Sequence, residues 1–484
     1  MFKVSIMNFK AVFVALIAIL SWNEILARTC DNKDENPYLM FSTKTSYFKV
    51  FNGSNIHDEN DIPGCQAKSL WMLARHGSRY PGSDDILVMA DRGVEIKDAI
   101  VEAYSSGKGS LCHEDFIQFQ SWSFNWTQDD GSLLSESGKL EMFQIGQRVR
   151  KRFFDDIKDE THIHFRRTYK KRTGQSAESF AEGAFPDQSV EILKPLHTDP
   201  LLRFFDFCTK WINDIDENPE TYKEQRLFGE TDVMKKTLKD IGLAIGFNEE
   251  LNLTDGLIIY DICRYEQAHQ PDKFSVWCSV FQETHLKVFE YYEELKYWHK
   301  NGYGHALNYL MACPLVQDAA LTLQKEEIGK SGTFYFSHSE AILPFLAALD
   351  LFKDKEPLRH DNFHTMSERH YQTSRIGSFS SNVIFVLLEC EEFPQKRLLT
   401  YHQERRIKLP RCDSDPCNWD QFMSRYQDVI GCQFDQLCGT DDQANEEFIN
   451  LDSNSGETNN AKSLFSLKLC MLCTFLFGSA LINS

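Results

Sequence analysis

Apolar residues in this chain fall into short unbroken runs and longer periodic ones, and the contrast predicts its elements. Leu70 to Ala74 and Thr333 to Ser337 are compact runs of the kind buried on both faces of a parallel sheet. Thr161 to Arg167 alternates, with Ile163 and Phe165 on one face and His162, His164 and Arg166 on the other, which is a strand pattern. Ser189 to Pro195 reads as another short strand, and Asn382 to Glu389 with Leu398 to Leu409 as two late strands forming a hairpin. Helical spacing marks Val88 to Ser105, Glu136 to Phe154, the stretch from Ser176 through Phe180 to Gly183, and Ile342 to Phe352. In the second of these, Leu140, Met142, Ile145, Gly146 and Val149 make the stripe. Gly107 to Ser135 holds Trp122, Phe124 and Trp126 but no clear period.

From Pro200 to about Lys325 the segments become long and amphipathic, with aromatics such as Phe204, Phe205, Trp277, Phe289 and Trp298, more suited to a core than to a ligand platform. The predicted class is therefore α/β with a mostly parallel sheet and an inserted, mainly helical subdomain. Its parts are residues 28–105, the first part of the α/β domain; 106–160, a helical excursion; 161–199, the second part; 200–325, the helical subdomain; and 326–450, the last part.

Both ends look like processing signals. Lys3 and Lys10 precede the apolar run Ala11 to Leu20, and cleavage after Ala27 would make residues 1–27 a signal peptide, with a retained signal anchor as the competing reading. Residues 451–484 form a linker and tail: small residues from Ser453 to Gly456, a polar spacer from Glu457 to Ser463, and an apolar stretch from Leu464 to Ile482 interrupted by Lys468. That order fits a glycosylphosphatidylinositol (GPI) attachment signal, placing the protein on the extracellular face of the cell membrane through a lipid anchor; a retained membrane helix is the alternative. A net charge of −19 argues against a nucleic-acid partner, so any basic pocket must be local. Of the 14 cysteines, Cys470 and Cys473 fall in the tail. The remaining even number in a secretory context favours disulfides, with Cys30 and Cys65 anchoring the polar arm of residues 28–65 and Cys412 to Cys438 as a locally stapled segment. Asn52, Asn125 and Asn252 begin sequons.

The chemistry concentrates where the run Leu70 to Ala74 breaks into Arg75-His76-Gly77-Ser78-Arg79-Tyr80-Pro81. Open α/β sheets bind ligands at the carboxyl ends of their strands, and paired guanidiniums with an imidazole suit a phosphate. A second strand, basic turn and helix brings Lys170, Lys171 and Arg172; a third ends at His338-Ser339-Glu340. Arg166, Arg167, Lys170 and Lys171 are candidates to bind a polyanionic substrate, with a solvated basic turn as the competing reading. His360 and His364, four apart, could share a helix face, but no third ligand supports a metal site, and no Walker, dinucleotide or G-x-S-x-G motif is present.

The heptapeptide RHGSRYP resembles the signature of the histidine acid phosphatases, a branch of the histidine phosphatase superfamily. Most of that branch carries His-Asp at the second histidine, whereas His338-Ser339-Glu340 is similar to the multiple inositol-polyphosphate phosphatases, where alanine usually stands at the middle position. Leu202 to Cys208 (LRFFDFC), the exit Lys353 to Leu358 and the strand Ser381 to Val386 (SNVIFV) extend the resemblance over most of the chain. It implies a phosphoglycerate-mutase-like three-layer sandwich and a phosphoric monoester hydrolase needing no metal or cofactor. His76 would be the nucleophile and Glu340 the proton donor. Arg75, Arg79, Arg172 and His338 would bind the phosphoryl group, and Lys170 and Lys171 the rest of the substrate. Inositol polyphosphates are the implied substrates, with 2,3-bisphosphoglycerate or simple monoesters as the alternative. A non-catalytic surface protein that binds phosphorylated ligands is disfavoured because His76 and Glu340 are both present.

Overall fold

Among the described residues, seven strands numbered in chain order make one mixed sheet in the order β2-β3-β1-β4-β5-β6, with β7 paired to β5. They are β1 (Cys65–Arg75), β2 (Thr161–Arg167), β3 (Lys330–Ser337), β4 (Asn382–Cys390), β5 (Arg397–His402), β6 (Arg405–Ile407) and β7 (Cys417–Asn418). This computed structural model describes residues 39–51, 62–154, 161–325, 329–391 and 395–439. The signal and anchor sequences, Cys30 and the sequon at Asn52 lie outside them.

β2, β3 and β1 are mutually parallel, and β4 joins β1 antiparallel before the β4–β5 hairpin. The parallel strands are thus the three that lead to the basic and histidine-bearing turns. Because successive side chains alternate across a strand, the sheet feeds two cores. Leu70, Met72 and Ala74 join Phe165, Phe334 and Phe336 under α3 (Glu136–Phe153) and α4 (Lys171–Ala184). On the other face Trp71 and Leu73 pack with α8 (Cys313–Gln324), α9 (Ser339–Ala348) and the helical segment, in a core continuous with that segment's own. α1 (Val94–Ser105), α2 (His113–Ser121), α5 (Asp232–Ala244), α6 (Leu253–His269) and α7 (Glu283–Asn301) complete the described long helices. Helices covering both faces of a mainly parallel core make the expected three layers.

Several expectations change in detail. Ser189 to Pro195 is not a strand: a single bridge joins Ile192 to Phe165, and the segment is largely exposed beside the sheet edge, where Pro195 can donate no ladder hydrogen bond. The strand expected over Leu398 to Leu409 breaks at Gln403 and Glu404, both with left-handed φ (49° and 63°), and turns back as β6. Glu404 is held there by bonds from Arg148 and the Tyr47 hydroxyl. α9 starts at Ser339, three residues early, and ends where Asp350 and Phe352 take positive φ. The helix expected over Val88 to Ser105 begins at Ser83 and passes through a π turn at Met89–Gly93. His360 and His364 share no helix; His360 Nδ1 instead lies 2.6 Å from Glu224.

The carboxyl-terminal staple is local only at Cys412–Cys417. Cys432 and Cys438 reach back to Cys313 and Cys208, and Cys65 closes on Cys390 across adjacent strands. Cys263–Cys278 links α6 to the turn that follows it.

The turn after β1 can lie on the amino end of α3 only because both surfaces lack a side chain. A Cβ on Gly77 would sit 2.3 Å from the Gly138 carbonyl oxygen, and one on Gly138 would sit 2.1 Å from that of Ser78. Both obstacles are backbone and cannot rotate away. Gly138→Ala should therefore lower unfolding stability by roughly 1–3 kcal/mol, the usual cost of overpacking, in urea or thermal denaturation. An unchanged midpoint would show that the turn can slide.

Candidate active site

Three parallel strands end side by side, and their ends supply the site. Arg75 is in register with Ser337, so the next residues, His76 and His338, emerge together, with ring centroids 5.6 Å apart. β2 ends beside β3 and delivers Thr168, then α4 with Arg172 in its first turn. Arg172 and Glu340 each occupy the second residue of a helix, so α4 and α9 both open at this point.

His76 Nδ1 lies 2.9 Å from the Gly77 carbonyl oxygen, to which it donates. Nε2 is then the unprotonated ring nitrogen of the neutral imidazole. Burial, then the charges of Arg172 and Arg75, push this imidazole well below its usual titration range. His338 Nδ1 accepts from Arg172 at 3.3 Å, leaving Nε2–H to donate to Thr168 Oγ1 at 3.0 Å. Burial and Arg172 push His338 down as well, while Glu340 pulls it the other way.

The guanidiniums are held by backbone and rings rather than by carboxylates. Arg75 Nη1 donates to the carbonyl oxygens of Thr43 (2.5 Å) and Gly377 (2.7 Å), and its plane lies 4.6 Å over the Phe379 ring. Arg79 Nη1 donates to the Tyr80 carbonyl at 2.6 Å. Arg166 and Arg203 are neutralised by Asp199 and Asp206. Among the described residues no carboxylate forms an ion pair with Arg75, Arg79 or Arg172, and each leaves a buried Nε without a hydrogen-bond partner. Burial and repulsion from Arg79 lower both Arg75 and Arg172 to about 10. Such a cluster of unspent donors is costly unless an anion completes it.

Burial works against the Glu340 carboxylate, but His338, its own amide, the Ser339 hydroxyl and Lys300 outweigh it and hold the acid below the usual carboxylate range. Arg203, stacked on Tyr169, and Asp206 stand just behind this group, and their charges reach His338 and Glu340. Lys170 caps α4 and lies over Tyr169, whereas Lys171 is exposed.

All six residues singled out in the three motifs thus converge. Those that sequence reasoning missed support them: Thr168, Lys300, Arg203, Asp206 and above all Glu141. Glu141 is fully buried, no Lys, Arg or His among the described residues pairs with it, and its carboxylate accepts from Ser46 Oγ, Tyr47 N, Ser78 N, Ser78 Oγ and Ser380 Oγ at 2.8–3.0 Å. Burial raises it, and the bonds from Ser78, Ser380 and Ser46 oppose that rise. Only Arg203 and Asp206 carried a signal, since they lie in LRFFDFC.

A strand-end histidine flanked by unpaired arginines on this sheet defines a histidine phosphatase, and residues 67–409 match the histidine phosphatase superfamily (branch 2). The chain is 32% identical over 417 residues to multiple inositol polyphosphate phosphatase 1 of Drosophila melanogaster, covering 82% of this chain and 86% of that one. Against the Homo sapiens protein of the same name it is 28% identical over 444 residues, covering 83% and 89%. Among solved structures, the phytase from D. castellii shares the fold with a TM-score of 0.66 at 16% identity, over 86% of this chain and 92% of that one. The chain belongs to the multiple inositol polyphosphate phosphatase family of that branch, and is a phosphoric monoester hydrolase.

The depressed imidazole can be tested directly. With ¹³C-labelled histidine, the His76 ring, assigned through His76→Asn, should titrate below its ordinary value of about 6.5 in the free protein. Orthophosphate should move it upward by adding negative charge. Titration at or above 6.5 without phosphate would contradict the site's electrostatics.

Proposed function

We propose that this protein hydrolyses phosphomonoesters of inositol polyphosphates through a phosphohistidine, on the secretory side of the cell. The observation that carries this reading is the set of three guanidiniums, each with a buried and unpartnered Nε, around a neutral imidazole. The relatives named above carry the substrate in their names, and Lys170 at the rim adds a cation for a second phosphate.

In the first step the lone pair of His76 Nε2 attacks phosphorus and the bond to the ester oxygen breaks. Arg75, Arg79 and Arg172 stabilise the charge on the transferred oxygens, joined by His338 once its Nε2–H exchanges Thr168 Oγ1 for a phosphoryl oxygen. Glu340, protonated, gives its proton to the departing inositol oxygen. Water then attacks the phosphohistidine, the same carboxylate takes a proton from it, and the phosphorus–nitrogen bond breaks to release phosphate and the free imidazole. The free site favours ionised Glu340, so the bound polyanion has a second role: its negative charge raises the pKa of the acid that must protonate its own leaving group.

Glu340→Gln should cost roughly 10²–10⁴-fold in kcat/KM with inositol hexakisphosphate, the range of a general acid, and far less with p-nitrophenyl phosphate, whose leaving group needs no proton. Arg172→Ala should impair both substrates, because the transferred phosphoryl group is common to them. Equal losses on the two substrates in Glu340→Gln would remove it from the donor role. His76→Ala should abolish trapping of an acid-labile ³²P-labelled enzyme, and trapping in that variant would exclude His76 as nucleophile. A preference for 2,3-bisphosphoglycerate or simple monoesters over inositol hexakisphosphate would favour the broader acid phosphatase reading.

The five disulfides among the described residues support an oxidising compartment. With the anchor reading of residues 451–484, phosphatidylinositol-specific phospholipase C should release the protein from cells. Retention after both that treatment and deletion of residues 455–484 would exclude a lipid anchor there.

A further inference from the structure

Ser339 stands between the two residues assigned above to phosphoryl binding and proton donation, where the family usually has alanine. It is the first residue of α9, is 7% exposed, and its Oγ donates to Glu340 Oε2 at 2.9 Å. A side chain so placed acts on the carboxylate next to it.

We infer that Ser339 is a positioning residue that selects which oxygen of Glu340 carries the proton and confines the enzyme's activity to more acidic pH. This rests on the reading of Glu340 as proton donor. A carboxyl oxygen that accepts from a hydroxyl is a poor place for a proton, so the acid's hydrogen is directed to Oε1. The oriented acid gains rate because its proton already faces the leaving oxygen. The same hydrogen bond is stronger to the carboxylate than to the neutral acid, so it also favours loss of that proton.

The charged groups facing Glu340 come from every element around it. His338 precedes it, Lys300 lies on α7, Arg172 on α4, Arg75 at the end of β1, and Asp206 in the turn Phe204–Phe207. The cations act in the same direction as the hydroxyl and Asp206 against it. Phosphate bound among Arg75, Arg172 and His338 cancels much of the cationic effect, whereas the neutral hydroxyl's bond remains when substrate is present. Ser339 is therefore the side chain whose influence on the acid survives into the complex, beside that of Glu340's own amide.

The sign follows from the need for a protonated donor. Activity toward a poor leaving group is full below the acid's pKa in the complex and falls as pH rises through it. Removing a stabiliser of the carboxylate raises that pKa and moves the alkaline limb of phosphoryl transfer to His76 upward.

The test uses the full chain and pH profiles of the single-turnover rate of phosphoenzyme formation, which leaves out the shared hydrolysis step, for inositol hexakisphosphate and p-nitrophenyl phosphate. Ser339→Ala should shift the alkaline limb with inositol hexakisphosphate upward by about one pH unit, the scale of one lost hydrogen bond to a charged group. It should also lower the plateau several-fold through lost orientation. Its p-nitrophenyl phosphate profile should superpose on the parent's, and Ser339→Thr, which keeps the hydroxyl, should restore the parent limb. In a Glu340→Gln background the alanine substitution should shift neither profile. An unshifted or downward-shifted limb in Ser339→Ala overturns the role of Ser339 and leaves Glu340 as donor untouched. A shift that persists in the Glu340→Gln background also overturns it, by showing that the hydroxyl acts elsewhere. Equal losses on the two substrates in Glu340→Gln alone would instead bring down the donor assignment on which it stands.

Discussion

The fully buried carboxylate of Glu141 is the constraint on which the rest of the site depends. Its five hydrogen bonds come from the arm at Ser46 and Tyr47, the catalytic turn at Ser78 and the turn at Ser380. Four separate stretches, counting its own helix α3, are thereby fixed around one anion. With no cation to neutralise it, the carboxylate is tolerable only because every donor is in place, so removal of any one leaves a buried polar group unsatisfied. The Ser380 end matters most for chemistry. That turn also carries Phe379 beneath Arg75 and follows Gly377, whose carbonyl holds Arg75 Nη1. A buried carboxylate thus helps to orient Arg75, a cation of the proposed phosphate cradle.

The two charge arrangements are complementary. On one side of the catalytic turn a carboxylate is satisfied by neutral donors; on the other, three guanidiniums are oriented by neutral acceptors and rings. Neither set is allowed to neutralise the other. Had Glu141 paired with Arg75, the fold would have gained a salt bridge and the site would have lost a donor for phosphate. The chain as a whole is strongly acidic, so the cradle's field is local and arises from which groups are denied partners, not from net charge.

The parts of this design that lie on strands were legible in the sequence. The apolar runs before His76 and His338 read as buried parallel strands because nothing polar interrupts them, and both turns follow directly. The strand, basic turn and helix around Arg172 were legible too, but it was the family resemblance that singled out Arg172 among the cations there. Glu141 was not legible: it sits beside Met142 on a helix with four further charges in its last two turns, and its donors are up to 239 positions away. The disulfide partners of Cys432 and Cys438 were hidden for the same reason, since sequence proximity favoured a local staple and packing against the helical layer decided otherwise. Ser189 to Pro195 failed differently: its alternation is real, but it has a neighbour at one residue only, and a strand needs a ladder.

The bond between Cys65 and Cys390 spans 325 positions and encloses Arg75 to Arg79, Arg172 and His338 to Glu340. Topologically the working part of the enzyme is a ring, not a line. A peptidase that cuts it once within that ring, at an exposed loop, opens the circle without separating the pieces, and His76 remains tethered to Glu340 through sulfur even where the backbone between them is severed. Proteolytic nicking and loss of the candidate site thus become two different events.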